Sequence, residues 1–403
     1  MRRLMREMAP ALILEAAKAP NRDRSDELLG LVKRARSRRG IEAALWVAAG
    51  DRRVVVHHSD LDSHGWYFNV HNGTIDLKTG ELLEHRREDR LTRVSPVAYD
   101  PNAKAPKWEQ FLEQIQPDPE MRAFLQRAVG YSMAEDSTEE CMFICYGGGA
   151  NGKTTFLESV RAIFGSDFEI EISASALTIS RHAADLDRAL APLPGVRLAT
   201  CTELRDGQRL NEQSVKRICS GEPMRSRQLY HESFQFVPVC TLWMATNHRP
   251  TVSGDDDGIW RRLLLVLFDQ QFEGDQINRH LRAELREELP GILNWAIEGC
   301  LAWQQDGLNP PKAVLDATEE YRNTEDQMAG FFDECCEEAA TLWTSTSDIR
   351  SALAIWCKTN SAHVPSMNAL TAWLRRRGFT PEKRSQKRGW LGLGLTPEAR
   401  TSL

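Results

Sequence analysis

The chain of 403 residues is 41% hydrophobic and 27% charged, which leaves room for two or three domains of about 150 residues and excludes wholesale disorder. No run approaches the roughly 18–20 uninterrupted apolar residues of a membrane span, so a membrane protein is excluded. The net charge of −6 speaks against nucleic acid only as an average: residues 1–40 hold eleven Lys/Arg against five Asp/Glu (+6), residues 371–403 hold eight against two (+6), and the middle carries −18.

Residues 1–60 read as charged helices punctuated by Gly30, Gly40 and Gly50. Arg2, Arg3 and Arg6 ahead of Ala11–Leu14 imitate a signal peptide, but Glu15 and Lys18 interrupt the run and no cleavage pattern follows, so a cytosolic amphipathic helix is expected. Nine cysteines without metal or disulfide spacing fit reduced core residues. From Trp66 to Tyr99 short strands joined by tight turns are predicted, around Asn72-Gly73 and Lys78-Thr79-Gly80. Two amphipathic helices follow, one carrying Trp108, Phe111, Leu112 and Ile115, the next Met121, Phe124, Leu125, Ala128 and Val129, with Asp118-Pro119 as its cap. Apolar runs at Cys141–Tyr146, Val196–Cys201, Val239–Ala245 and Leu263–Phe268 alternate with helical segments, the pattern of a parallel sheet covered by helices. Residues 275–335 read as mostly helical, and the acidic stretch 316–338 as a solvated helix face. In the tail, Ser347 and Ser366 are placed as caps of two helices, and Phe379–Pro381 and Trp390–Leu395 as the strands of a basic hairpin.

Gly147-Gly148-Gly149-Ala150-Asn151-Gly152-Lys153-Thr154 fits G-x-x-x-x-G-K-[ST] between a strand and a helix. Glycines let backbone N–H groups turn inward around phosphate oxygens, and the helix N-terminus adds donors and a positive dipole end. Gly148, Gly149, Ala150, Asn151, Gly152, Lys153, Thr154 and Thr155 are therefore assigned to a nucleoside triphosphate, with Lys153 on the β- and γ-phosphates and Thr154 on Mg2+. Such a site also needs a group near the metal and water. Glu203, after the run Val196–Cys201 and at a strand end expected beside the P-loop strand, would serve as general base. Asn247, after the third run, would bond the γ-phosphate or the water. Arg261 and Arg262 are either salt-bridged surface or a finger placed in a neighbouring subunit's site.

These stations, in this order, resemble superfamily 3 helicases, and the text is similar to the C-terminal half of phage and plasmid primase-helicases, related to the poxvirus primase-helicase. The matching residues are Gly147–Thr155, Arg197-Leu198 through Glu203 to Arg209-Leu210-Asn211-Glu212, Leu242–Pro250 and Gly258-Ile259-Trp260-Arg261-Arg262. Trp66–Gly73 and Gly389-Trp390-Leu391-Gly392 extend the likeness over roughly residues 65–400, with residues 1–60 not clearly covered.

The resemblance implies an α/β fold: an AAA+ P-loop core with a parallel sheet, preceded by a small helical and α+β domain and followed by a C-terminal winged helix. The expected division is an N-terminal helical and β-rich domain (1–105), the motor with its helical lead-in (106–310), a helical linker (311–345) and a winged-helix DNA-binding domain (346–403). It implies a ring, usually a hexamer, with ATP between subunits and single-stranded DNA in the pore. Lys153 and Thr154 then fill the Walker A role, Glu203 the Walker B role including a share of the metal, Asn247 the sensor role, and Arg261 or Arg262 the finger. A pore hairpin is expected from Met224–Tyr230 and Phe234–Val237, with Arg225, Arg227 and His231 toward the DNA backbone and Tyr230 as a stacking face; Lys216 lies on the helix before it. Arg375, Arg376, Arg377 and Lys387 are the expected tail contacts. Thr202 stands where many relatives carry a second acid. About sixty residues upstream leave no room for a primase module, so a separate primase or origin-binding partner is expected. The function implied is an ATP-dependent helicase acting on single-stranded or forked DNA of a phage, plasmid or other mobile element, in the cytoplasm of a bacterial or archaeal host. The alternative is an ATPase ring or nucleotide switch, of a mobile element or defence system, that binds DNA without unwinding it. A small-molecule P-loop kinase would leave Asn247 and the arginine pair without use.

Overall fold

The computed structural model describes residues 2–51, 55–179, 189–202, 208–227, 233–252, 257–360, 362 and 364–401. The chain divides into two compact units, Met1–Ser63 and His64–Leu403. The first holds helices α1 (Arg2–Ala17), α2 (Arg22–Arg36) and α3 (Arg38–Ala48). Gly30 and Gly40 lie inside α2 and α3, so they are not the expected breaks. The breaks fall where side chains cap: Asn21 accepts from the Arg24 N–H at 2.9 Å, and Ser37 accepts from the Gly40 N–H at 3.0 Å. Ala16, Leu28, Val32 and Ile41 are the buried face.

The second unit opens with an antiparallel meander, β1 (Tyr67–Val70), β2 (Gly73–Asp76) and β3 (Glu81–Leu83). Its Phe68, Val70, Ile75 and Leu77 are fully buried in the core that also holds Trp108, Phe124 and Phe156 of the following helices. The expected N-terminal domain 1–105 is thus divided at residue 63: the meander has too little apolar surface to fold alone and joins the larger core. Helices α4 (Pro106–Ile115) and α5 (Pro119–Tyr131) follow, with the Asp118 carboxylate accepting from the Glu120 N–H at 2.9 Å. All four apolar residues predicted for α4 are buried.

The central region comprises β4 (Met142–Tyr146), α6 (Lys153–Phe168), β5 (Glu169–Glu171), β6 (Leu198–Thr202), α7 (Glu212–Cys219), the hairpin β7 (Met224–Arg227) and β8 (Ser233–Phe236), β9 (Thr241–Thr246), α8 (Asp257–Trp260) and β10 (Leu263–Leu267). Five strands form one parallel sheet in the order β10-β4-β9-β6-β5. Alternation places Phe143, Cys145, Trp243, Leu264 and Val266 in the core with α4, α5 and α6. Met142, Ile144, Leu242, Met244, Leu263 and Leu265 enter the core on the other face. Among the described residues no helix is long and apolar enough to cross a membrane. The nine cysteines are unpaired, and seven are buried.

After α9 (Leu281–Glu287) and α10 (Leu289–Asp306), helix α11 (Lys312–Cys335) runs from one core to another. Its Tyr321 packs edge-on against Trp260 of α8 at 5.1 Å. Its Met328, Phe331 and Phe332 lie in the terminal core with Leu353, Trp373 and Trp390. The expected helical linker 311–345 is therefore helical only to Cys335. Residues Cys336–Ser345 form β11, the outer strand of an antiparallel sheet β11-β13-β12 with β12 (Thr380–Arg384) and β13 (Lys387–Leu395). Its acidic, exposed first half resembles a helix surface in sequence, and pairing with the apolar β13 decides otherwise. Ser385 and Gln386 turn the β12–β13 hairpin with φ of 46 and 71. Helices α12 (Thr346–Thr359) and α13 (Met367–Arg376) complete the tail. Ser366 caps α13 as expected, whereas α12 is capped by Ser345, whose oxygen accepts from the Asp348 N–H at 3.1 Å, rather than by Ser347.

Candidate active site

The loop between β4 and α6 is pinned from two sides. A Cβ on Gly152 (φ 85) would stand 2.4 Å from the Ile115 side chain, and one on Gly147 would stand 2.3 Å from the Phe268 carbonyl oxygen. The Asn151 amide donates to that same carbonyl at 2.9 Å, and the Phe272 N–H donates to the Ala150 carbonyl at 3.0 Å. The loop thus rests between α4 and the chain leaving β10, with Gly148, Gly149 and Ala150 exposed at its crest.

The Lys153 ammonium donates to the carbonyls of Gly147 (2.7 Å) and Gly148 (2.8 Å), to Asn151 Oδ1 (3.0 Å) and to Asn247 Oδ1 (3.0 Å). Burial pulls its pKa below the ordinary lysine value. Asn247 follows β9, which lies directly beside β4, so adjacent parallel strands bring the loop lysine and the asparagine together. At this C-terminal edge of the sheet a cavity of about 400 Å³ is lined by Lys153, Thr154, Thr202, Asn247, Glu171 and Arg161, among others. Thr155 faces a second cavity of about 620 Å³ on the other flank of the loop, where Phe111, Phe272, Ile277 and Leu281 meet Gln110 and Asn278.

Glu203 lies outside the described residues. Its strand β6 ends at Thr202 and is separated from β4 by β9, so it does not adjoin the P-loop strand as expected. The hydroxyl and carboxylate oxygens of Thr154, Thr202 and Glu171 are hard donors of the kind Mg2+ takes, although among the described residues no group of three or more His, Cys, Asp or Glu gathers as a metal site.

The two arginines differ. Arg262 is 8% exposed and donates to Glu140 Oε2 and the Gly258 carbonyl, both at 2.5 Å, and to Ser220 Oγ at 2.8 Å. Arg261 is 65% exposed and touches Glu140 at 3.0 Å. Both precede β10, whose Leu263 pairs with Met142 at the start of β4. They stand at the edge of the sheet opposite the P-loop, about 16 Å away at roughly 3.3 Å per residue over five paired residues.

Of the expected hairpin, β7 and β8 pair from Met224↔Phe236 to Arg227↔Ser233, with Arg225 and Arg227 exposed. Tyr230 and His231 lie outside the described residues. Lys216 is half-buried on α7. In the tail Arg375 and Lys387 are exposed, whereas Arg377 packs its guanidinium over Trp373 (4.7 Å) and Phe332 (5.2 Å). The Arg376 side chain lies outside the description. Lys383, Arg384 and Arg388, at the hairpin tip with Lys387, were not singled out as contacts from the sequence.

Residues 1–117 match the family described as D5 N terminal like, and residues 145–262 match a Family of unknown function (DUF5906). A protein of Acanthamoeba polyphaga mimivirus named as a helicase is 24% identical over 349 residues, 80% of this chain and 36% of that protein. One of African swine fever virus named as a primase is 23% identical over 327 residues, 74% of this chain and 34% of that protein. A Frog virus 3 protein named as a helicase is 24% identical over 277 residues. The chain is thus similar to viral proteins named as helicases and as primases. The solved C terminal region of NrS-1 matches at 10% identity, a TM-score of 0.42, and 74% of this chain and 78% of that one. The chain spans about a third of the length of the curated relatives. The family match begins at residue 1, so the likeness extends over the helical unit that motif reading left uncovered. Motif reading does not single out Glu171 or Arg161 at the cavity, and notes Thr202 only as the residue in place of a second acid; the short, charged text of β5 carries no signal for Glu171.

Proposed function

We propose that the chain is an ATP-driven helicase motor of superfamily 3, working as a ring on single-stranded DNA during replication of a mobile or viral genome. The observation that carries this reading is the single ammonium of Lys153, bonded at once to the P-loop carbonyls and to Asn247 beside an open cavity. The triphosphate would lie over the crest Gly148–Gly152 with Thr154 on Mg2+, its base in the apolar cavity at Phe111 and Phe272. Mg2+ would offset charge on the phosphates, and Asn247 would orient the attacking water or the γ-phosphate. The names of the viral relatives support a replication role. The tail, two helices with a basic hairpin, is read as a winged helix. A strand-displacement assay on 3′-tailed and 5′-tailed forks tests the motor: DNA-stimulated ATP hydrolysis without displacement on either fork would favour the non-unwinding ATPase instead.

Arg261, exposed and about five strand residues away from its own P-loop, suits a finger acting in trans, and Arg262 an anchor for it. Arg261→Ala and Lys153→Ala subunits, each inactive alone, are expected to recover about a quarter of the wild-type ATPase when mixed equally, the statistical share of sites with one intact loop and one intact finger. No recovery at any ratio would remove Arg261 from that role.

DNA contacts are assigned to Arg225 and Arg227, to Tyr230 and His231, and to Lys216, Arg375, Arg376 and Lys387, joined by Lys383, Arg384 and Arg388. Neutralising Arg375, Lys383, Lys387 and Arg388 together is expected to flatten the slope of log affinity against log salt by about 0.7 per lost phosphate contact on single strands. An unchanged slope in a salt titration would demote the tail to a structural element. Arg377 is expected to matter through packing on Trp373 and Phe332 rather than through phosphate.

A further inference from the structure

The cavity at the C-terminal edge of the sheet is lined by two described carboxylates, Glu158 and Glu171. Glu158 is engaged by Arg282 at 3.0 Å. Glu171 ends the edge strand β5, and its register with β6 sets it near Thr202. Thr202 Oγ–H donates to Glu171 Oε1, and Arg161 Nη1 donates to Glu171 Oε2 at 2.9 Å. One hydroxyl and one guanidinium therefore aim the carboxylate, one oxygen each, and the Thr202 bond foremost holds it below the usual carboxylate range. Arg161 is shared with Glu169, its Nε lying 2.6 Å from Glu169 Oε1, so its charge is divided between two acids. A carboxylate has about four acceptor positions, so two remain beside these bonds on a side chain that lines the same cavity as Lys153 and Thr154.

Resting on the nucleotide reading above, we propose that Glu171 is a positioning residue for the divalent cation: held by Thr202 and Arg161, it accepts hydrogen bonds from water bound to the metal that Thr154 coordinates. Mg2+ keeps several of its waters when bound, so a carboxylate one water away from the ion orients its shell without touching it. The position is reached only through folding, because thirty-one residues separate Glu171 from Thr202.

The test counts bound Mn2+ by its EPR signal on the full chain at saturating ADP. Glu171→Gln is expected to weaken Mn2+ binding by about tenfold, the loss typical of an outer partner of a metal site, with ADP binding in EDTA unchanged. Arg161→Gln leaves the carboxylate with its Thr202 bond and removes a positive charge near the cation, and is expected to weaken Mn2+ binding less than Glu171→Gln does. Thr202→Val, which removes the aiming hydroxyl, is expected to weaken Mn2+ binding and serves should Glu171→Gln not fold. Unchanged Mn2+ affinity in Glu171→Gln overturns the proposal, and so does equal weakening by the Glu171 and Arg161 changes, which a purely structural pair would give. Undiminished ADP binding by Lys153→Ala in EDTA would instead overturn the nucleotide reading on which it rests.

Discussion

Lys153→Ala is expected to lower the rate of ATP hydrolysis by at least about 10²–10³-fold, the loss found when one donor to developing charge is removed from a preorganised site. The reason is local. The ammonium already sits among four acceptors in a partly desolvated place, so on the proposed reading it would reach the β- and γ-phosphates with little reorganisation, exchanging carbonyl and amide oxygens for charged ones. Burial disfavours its charge in the free chain, and a bound polyanion removes that penalty. Lys153→Arg is not expected to restore the rate, because a planar fork does not fit a nest built for a compact ammonium. Phosphate release at saturating ATP checks both variants. A rate within about tenfold of wild type for Lys153→Ala would remove the loop from the chemistry.

The second large effect concerns Arg197, a residue of the family-like text that is expected to bind nothing outside the chain. It is 2% exposed. Its Nη1 donates to the Met133 carbonyl at 2.6 Å, and its Nη2 to the Tyr67 carbonyl at 2.8 Å and to Glu135 Oε1 at 3.2 Å. Its guanidinium also lies over the rings of Phe168 (4.9 Å) and Phe68 (5.6 Å). One side chain thus ties the meander, the end of α5 and the start of β6. Arg197→Ala leaves buried carbonyls and Glu135 without it, which is expected to cost about 3–5 kcal/mol. At about 2.1 cal/mol/K of unfolding entropy per residue, that lowers the melting temperature of the 340-residue unit by roughly 4–7 °C. Calorimetry checks it, and a shift under about 1 °C would show that the ties are not energetically coupled to folding.

The sheet strands were legible because parallel strands covered on both faces must be apolar: β4, β6, β9 and β10 each emerge within two residues of their expected bounds. The P-loop was legible because its glycines and its lysine are demanded at fixed spacing. Strand β5 was not, since Glu-Ile-Glu at a sheet edge has no apolar pattern. The text of strand β11 reads as helix because exposed glutamates suit either state, and only the apolar β13 beside it decides.

The sequence by itself determined which candidate groups are present: a glycine-rich loop with its lysine, an asparagine after a later strand, paired arginines and basic ends, each carried by local spacing and composition. The tertiary structure alone decided which of these groups meet. The order β10-β4-β9-β6-β5 sets Asn247 beside Lys153 and moves the strand before Glu203 one place further out. Parallel pairing puts Arg261 and Arg262 at the edge away from the loop, and burial separates the anchored Arg262 from the exposed Arg261. Glu171 enters the cavity through Thr202 and Arg161, neither adjacent to it in the chain. Strand order, face and burial are properties of non-local packing, and no local pattern in the chain encodes them.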